Sequence, residues 1–233
     1  MELQDEPLNS ETTVAQLVFS RPEALAVLTK YNIDYCCGGK RSVGEACRTI
    51  GLDPQTLWLE INRSLSGPSG YSLRPHEWNS SLLVDFIVEN HHGFVRKAIP
   101  ELNALLERVC ERHGAEHSYL LQIKSLFNEL SEELIQHMNK EELALFPAVK
   151  RLAVMANNSP LIRIIQEPIE AMEDDHQLAG ALIRQIRSLS DNYTPPAGAC
   201  VTFQMTFQKL REFEADLMIH VHLENHVLFP RFT

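Results

Sequence analysis

No stretch of this 233-residue chain approaches the eighteen or more apolar residues that a membrane-spanning helix needs, because charged residues interrupt every hydrophobic segment. Basic residues are also in deficit. With 21 Lys and Arg against 31 Asp and Glu, the formal charge is −10, and the cationic footprint that nucleic acid or an anionic lipid surface requires is missing. Neither partner is expected, and no membrane. The opening, with Glu2, Asp5 and Glu6 close behind Met1, lacks the basic and apolar character of a secretory signal. Cysteine occurs five times, an odd count at irregular spacings, so a disulfide framework is not expected and a reducing, cytoplasmic setting is. What the chain has in quantity is histidine, ten in all.

Break composition divides the sequence. Residues 67–79 include Gly67-Pro68-Ser69-Gly70 and Arg74-Pro75 and read as a linker. Before it, residues 1–66 form a small helical domain of short pieces: Thr13 to Phe19, Pro22 to Tyr31, Ser42 to Ile50 and Pro54 to Leu65, with Cys36-Cys37-Gly38-Gly39 as a turn. After it, residues 80–233 show no strand-like alternation. Apolar residues recur at spacings of three and four over about 80–113, 117–155, 160–190 and 199–229, as in Leu120, Ile123, Leu126, Phe127, Leu130 and Leu134. The connections around Gly114, Asn157 to Ser159 and Pro195-Pro196 are short, which predicts antiparallel neighbours and an all-α, up-down-up-down four-helix bundle. Pro100, Pro147 and Pro168 fall inside these patterns and should distort their helices.

The bundle repeats itself. His137-Met-Asn-Lys-Glu141-Glu-Leu-Ala-Leu145-Phe146-Pro147 matches His220-Val-His-Leu-Glu224-Asn-His-Val-Leu228-Phe229-Pro230, both reading H-x3-E-x3-L-F-P. His137 and His220 stand 83 apart, and His92 and His176, each midway along the preceding helix, stand 84 apart. The domain is therefore two similar hairpins. Residues four apart differ by only ~40° around a helix axis, so each His-Glu pair shares a face. Antiparallel pairing sets His92 opposite His137 and His176 opposite His220, which brings six donors to one layer. Two carboxylates can each bridge a pair of ions, and four imidazoles supply two terminal ligands per ion. That oxygen and nitrogen set suits iron rather than the thiolate sites of structural zinc. Di-iron carboxylate bundles of the Glu-x-x-His kind are richer in carboxylate; the His-x3-Glu motif points instead to a hemerythrin-like centre.

Singly, each of these residues is more readily read as a hydrogen-bonded core histidine or a surface ion pair; the matched repeat carries the assignment. His91 sits ~100° from His92 around the helix, and His222 and His226 align with Asn139 and Leu143, so all three stand outside the predicted ligand set. His113 and His117 flank Gly114 and read as solvent-facing. Glu133, four residues before His137, is the best-placed carboxylate for orienting an imidazole, although it reads more readily as a solvated surface residue, and Asp175 beside His176 is a weaker candidate still. Cys47, Cys110 and Cys200 lie in helical patterns and read as buried filler.

On these residues the chain resembles the iron-sulfur cluster repair di-iron proteins, the repair of iron centres family. The resemblance covers nearly the whole length and includes a second signature, Tyr31-Asn-Ile-Asp34-Tyr35-Cys36-Cys37-Gly38-Gly39-Lys40. It implies iron ligands at His92, His137, Glu141, His176, His220 and Glu224, with Glu141 and Glu224 bridging two irons per chain through an oxo- or hydroxo-bridged centre. It also implies repair of iron-sulfur proteins damaged by nitrosative or oxidative stress, with nitric oxide or oxygen as small ligands. The alternative is a protein that binds or reduces nitric oxide, and a homodimer is as open as a monomer. Cys36 and Cys37 have two readings: a redox pair, whose thiol pKa Lys40 and Arg41 would lower, or small residues in a helix-ending turn.

Overall fold

The computed structural model describes residues 9–64, 74–154 and 161–232. Among them the chain is helical throughout, with a lone bridge between Thr13 and Ser42 as its only extended pairing. It divides into two compact units: Met1–Trp78 together with Val221–Val227, and Asn79–His220 together with Leu228–Thr233.

The first unit holds α1 (Val14–Ser20), α2 (Ala24–Lys30), α3 (Val43–Thr49) and α4 (Pro54–Ser64). The starts of α1 and α3 are written locally: Thr13 with Gln16 and Ser42 with Glu45 form reciprocal capping boxes, each satisfying two amides that the first turn leaves open. Leu17, Leu28, Tyr35, Val43, Cys47, Leu57 and Ile61 are buried and make the core. The amides of Val14 and Ala15 donate to the carbonyls of Arg41 and Gly39 at 3.0 and 2.9 Å. These bonds tie the Cys36-Cys37 loop, between α2 and α3, to the start of α1.

The second unit is built on α5 (Ser80–Phe86), α6 (Gly93–His113), α7 (Tyr119–Lys140), α8 (Phe146–Leu152), α9 (Leu161–Leu189) and α10 (Val201–His222). Helix α6 packs on α7 and α5 on α8, the pairing of an antiparallel hairpin, and α9 lies along α7. Three of the four predicted helices are not uniform. A π-helical turn, with one extra residue per turn, joins α5 to α6 (Ile87–His92), α7 to α8 (Glu141–Leu145), and follows α10 (Leu223–Leu228). Two of these runs stop at Phe-Pro, where Pro147 and Pro230 have no amide to donate and crowd the carbonyl four residues back. Pro100 and Pro168 are accommodated inside α6 and α9. The expected Asn157-Asn158-Ser159 connection and the Gly67–Gly70 part of the linker lie outside the described residues.

The α9 to α10 connection is held by charge. Asp191, Asn192 and Tyr193 have φ of 48°, 56° and 58°, left-handed backbone that costs on the order of 1–3 kcal/mol per residue unless surroundings compel it. Here Arg211 donates to the carbonyls of Asn192 and Tyr193 at 3.0 and 3.2 Å. Arg187 Nε donates to both carboxylate oxygens of Glu214 at 2.9 and 3.0 Å, with Glu214 only 6% exposed.

Candidate metal centre

The six predicted ligands come together in two quartets. His92, Glu141, His220 and Glu224 form one, and His137, Glu141, His176 and Glu224 the other; within each quartet the donor atoms all lie within 4.8 Å of one another. Both carboxylates belong to both quartets and are fully buried, as is His92, while the other three imidazoles are at most 2% exposed. The π-helical turns supply the positions. His92 closes one, Glu141 opens another, and Glu224 lies in the third. The widened turn shifts these side chains from where an α-helix would aim them, a local cost met repeatedly at functional sites.

Which nitrogens face inward follows from the outer contacts. His92 Nδ1 donates to Glu142 Oε1 at 2.7 Å, and His137 Nδ1 lies 3.4 Å from Asp175 Oδ2. A carboxylate only accepts, so the proton sits on Nδ1 and the Nε2 lone pair points to the centre. There, His92 Nε2 faces His220 Nε2 at 3.2 Å, and His137 Nε2 faces His176 Nε2 at 3.1 Å. Glu141 Oε2 is 3.3 Å from both His92 Nε2 and His137 Nε2. Four imidazole nitrogens and two buried carboxylates gathered this closely make a donor cluster that is favourable when cations sit among them. The residues present therefore fit bound metal, and their nitrogen and oxygen character fits iron.

The outer carboxylates are set by partners on other helices. Burial pushes the Glu142 carboxyl up, but hydrogen bonds from Arg96, at 2.7 Å, and from His92 outweigh it, leaving the group below the ordinary glutamate range. The bond from His137 acts first on Asp175 and, with Lys140 at 2.9 Å, overcomes partial burial to bring its pKa to about 2. Glu133 is half-buried and makes no hydrogen bond or ion pair among the described residues, as the surface reading of it expects. Glu142 and Asp175 reach His92 and His137 from across the helix contacts. Nothing in the spacing announces Glu142, and Asp175, named above for standing beside His176, meets His137 instead.

Of the remaining histidines, His91 is buried at 5% exposure. Its Nδ1 bonds Asp216 at 2.9 Å and its ring stacks on His220, 5.8 Å between centroids, so it braces a quartet member without joining either quartet. His222 Nδ1 donates to the Tyr35 carbonyl at 3.3 Å and His226 Nε2 to the Cys36 carbonyl at 2.7 Å. Burial, then His226, lowers the His222 pKa to about 4. Leu143, which occupies the place of His226 in the first hairpin, is 82% exposed; the repeat departs from itself where the cysteine loop is gripped. His113 and His117 are half-buried rather than open to solvent: both pack on Phe203, and His113 Nε2 is 3.2 Å from Cys200 Sγ. Cys200 is exposed, unlike the buried filler expected of it, while Cys47 and Cys110 are buried.

Cys36 and Cys37 are both free thiols, with their sulfurs 3.6 Å apart. The Cys36 pKa is raised, not lowered. Its hydrogen bond to Cys37 is the first cause, burial the second and the Asp34 charge a further one, and Lys40 and Arg41 do not offset them.

Residues 83–232 match the family described as "Hemerythrin HHE cation binding domain", and residues 10–65 match "Domain of Unknown function (DUF542)". Iron-sulfur cluster repair protein ScdA of Staphylococcus haemolyticus (strain JCSC1435) is 30% identical over 97% of this chain and 100% of its own. Iron-sulfur cluster repair protein YtfE of Enterobacter sp. (strain 638) is 35% identical, and that of Shigella boydii serotype 4 (strain Sb227) is 34% identical, each over 99% of this chain and 98% of its own.

Proposed function

Because the chain belongs to the family of iron-sulfur cluster repair proteins that carry a hemerythrin HHE cation-binding domain, we propose that it restores damaged iron-sulfur clusters with iron held in its bundle. The observation that carries the reading is the pair of quartets sharing Glu141 and Glu224. On this reading two irons are bound per chain. His92 and His220 serve one, His137 and His176 the other, and both carboxylates bridge.

Bound there, iron supplies Lewis acidity and one-electron chemistry. The chain's own part is to bring four imidazoles to one layer, with Glu142 and Asp175 holding the Nε2 lone pairs of His92 and His137 inward, and to keep the carboxylates from bulk water. Two nitrogens and two shared oxygens per ion would leave coordination positions that water, oxygen or nitric oxide could take, and through which a client's ligand could draw iron away. The clients are iron-sulfur proteins damaged by oxidative or nitrosative stress, and the setting is the reducing cytoplasm, in keeping with five free cysteines.

The test mixes iron-loaded protein with a cluster enzyme inactivated by nitric oxide, in the presence of a ferrous chelator. Recovery of activity well beyond that given by an equal amount of free ferrous iron is expected. Recovery no better than free iron rejects the proposal, and prompt consumption of nitric oxide without recovery would favour the nitric oxide reading.

A further inference from the structure

Asp34, Cys36 and Cys37 take no part in the bundle quartets, yet their donor atoms also lie within 4.8 Å of one another. We propose that these three residues form a second metal site, which takes a single thiophilic divalent ion such as Fe2+ or Zn2+ through two thiolates and one carboxylate.

The spacing is that of a tetrahedral ion's edges. Metal bonds of about 2.3 Å to sulfur and 2.0 Å to oxygen at tetrahedral angles separate two sulfurs by about 3.8 Å and a sulfur from an oxygen by about 3.5 Å. The observed separations, 3.6 Å for Cys36 Sγ to Cys37 Sγ and 3.3 Å for Cys36 Sγ to Asp34 Oδ1, are hydrogen-bonded contacts within the loop, and an ion that replaces the thiol protons needs nearly the same spacing. The sulfurs are too far apart for a bond, which closes at about 2.05 Å and is strained between neighbours in sequence. Chelation needs no such closure and only a small movement of the donors.

The loop is held in this arrangement before any ion arrives. Asp34 Oδ1 accepts the amides of Cys36, Cys37 and Gly38 at 3.1, 3.0 and 3.0 Å, so the carboxylate is fixed against the backbone that carries both thiols. From the other side, His226 Nε2 donates to the Cys36 carbonyl at 2.7 Å. Gly39 is required for that grip: a Cβ there would lie 2.5 Å from His226 Nε2 and 2.8 Å from the Tyr35 carbonyl oxygen. Cys36 is 5% exposed and Cys37 half-buried, so solvent reaches one of the two cysteines.

Three protein donors leave a fourth tetrahedral position for a ligand from outside, the feature that separates exchangeable sites from closed structural ones. Binding breaks the two S–H bonds, forms two metal–sulfur bonds and releases one proton per thiol to buffer. No electron moves. Coupled to the function proposed above, the loop is an exchange point for an ion in transit, but the site itself does not depend on that reading.

Cobalt(II) is the probe, since its thiolate complexes absorb in the near ultraviolet where imidazole and carboxylate complexes do not. Metal-free full-length protein, kept reduced without added thiol, is titrated with Co2+. A thiolate charge-transfer band should saturate at one equivalent of sulfur-bound ion and disappear on adding Zn2+. Cys37→Ser should remove it and Asp34→Asn should weaken binding, whereas His176→Ala and Cys200→Ser should leave it intact. Cys37 is half-buried, so its serine variant tests the site without opening the core around Cys36. Absence of the band in the parent, its survival in Cys37→Ser, or its loss in Cys200→Ser would each overturn the proposal. Loss of repair with the band retained would instead count against the function of the bundle alone.

Discussion

Glu141 and His176 make unequal contributions to the bundle centre, and the inequality is measurable. Glu141 belongs to both quartets and His176 to one. Replacing His176 with Ala leaves His92, Glu141, His220 and Glu224 whole and reduces the other quartet to three donors; replacing Glu141 with Ala reduces both. Four-donor zinc peptides bind with about 10–16 kcal/mol, or roughly 2.5–4 kcal/mol per donor. At about 1.4 kcal/mol per decade, loss of one donor weakens its ion by on the order of a hundredfold to a thousandfold.

After anaerobic loading with Fe2+ and passage over a competing chelator, the parent should retain an ion in each quartet, His176→Ala one of them, and Glu141→Ala neither. A stability measurement reports the same geometry with opposite signs. Glu141→Gln removes a carboxyl that is costly to bury in ionised form, so the metal-free protein should gain stability, while the iron-loaded protein loses stability because a shared ligand is gone. Equal iron loss in the alanine variants, or a metal-free Glu141→Gln protein less stable than the parent, would refute the shared-carboxylate reasoning.

Asp175→Asn should cost about ten- to a hundredfold in iron affinity, because the group that orients His137 loses its charge; Glu133→Gln, measured by the same chelator competition, should change nothing. Glu214→Ala leaves the half-buried guanidinium of Arg187 without its carboxylate, and urea denaturation should show a loss of about 3 kcal/mol, the low end for a broken buried pair. Gly39→Ala should destabilise the first unit through its clash with His226, and His226→Ala should partly restore the Gly39→Ala protein, a coupling read from a double-mutant cycle in thermal unfolding. On the exposed face of the first unit, the hydrogen bond from Lys30 and then that from Tyr31 lower the Glu60 pKa. The unfolded chain therefore binds the proton more readily. That contribution is whole above the unfolded value of about 4.3 and is lost as pH falls through the folded pKa. Glu60→Gln should flatten the acid side of the stability profile.

Much of this protein is legible along the chain. Three-four periodicity and the absence of alternation specify helices, because side-chain direction in a helix is a local property. The duplicated H-x3-E-x3-L-F-P with its matched upstream histidines singles out six residues, since a centre built by duplication leaves the same letters at the same offset in both copies. The capping boxes at Thr13 and Ser42 are likewise local. Only the folded chain decided the rest. A π-helical turn inserts one residue without changing composition, so hydrophobic periodicity carries no mark of it beyond the Phe-Pro that ends two of the three. Which carboxylate reaches which imidazole is a matter of register between helices: Glu142 and Asp175 meet His92 and His137 across helix contacts, while Glu133, correct by spacing, meets neither. The packing of a distant loop against His222 and His226 and the exposure of Cys200 belong to the same class. Contacts between segments far apart in sequence are set by shape and burial, and no local pattern of letters encodes them.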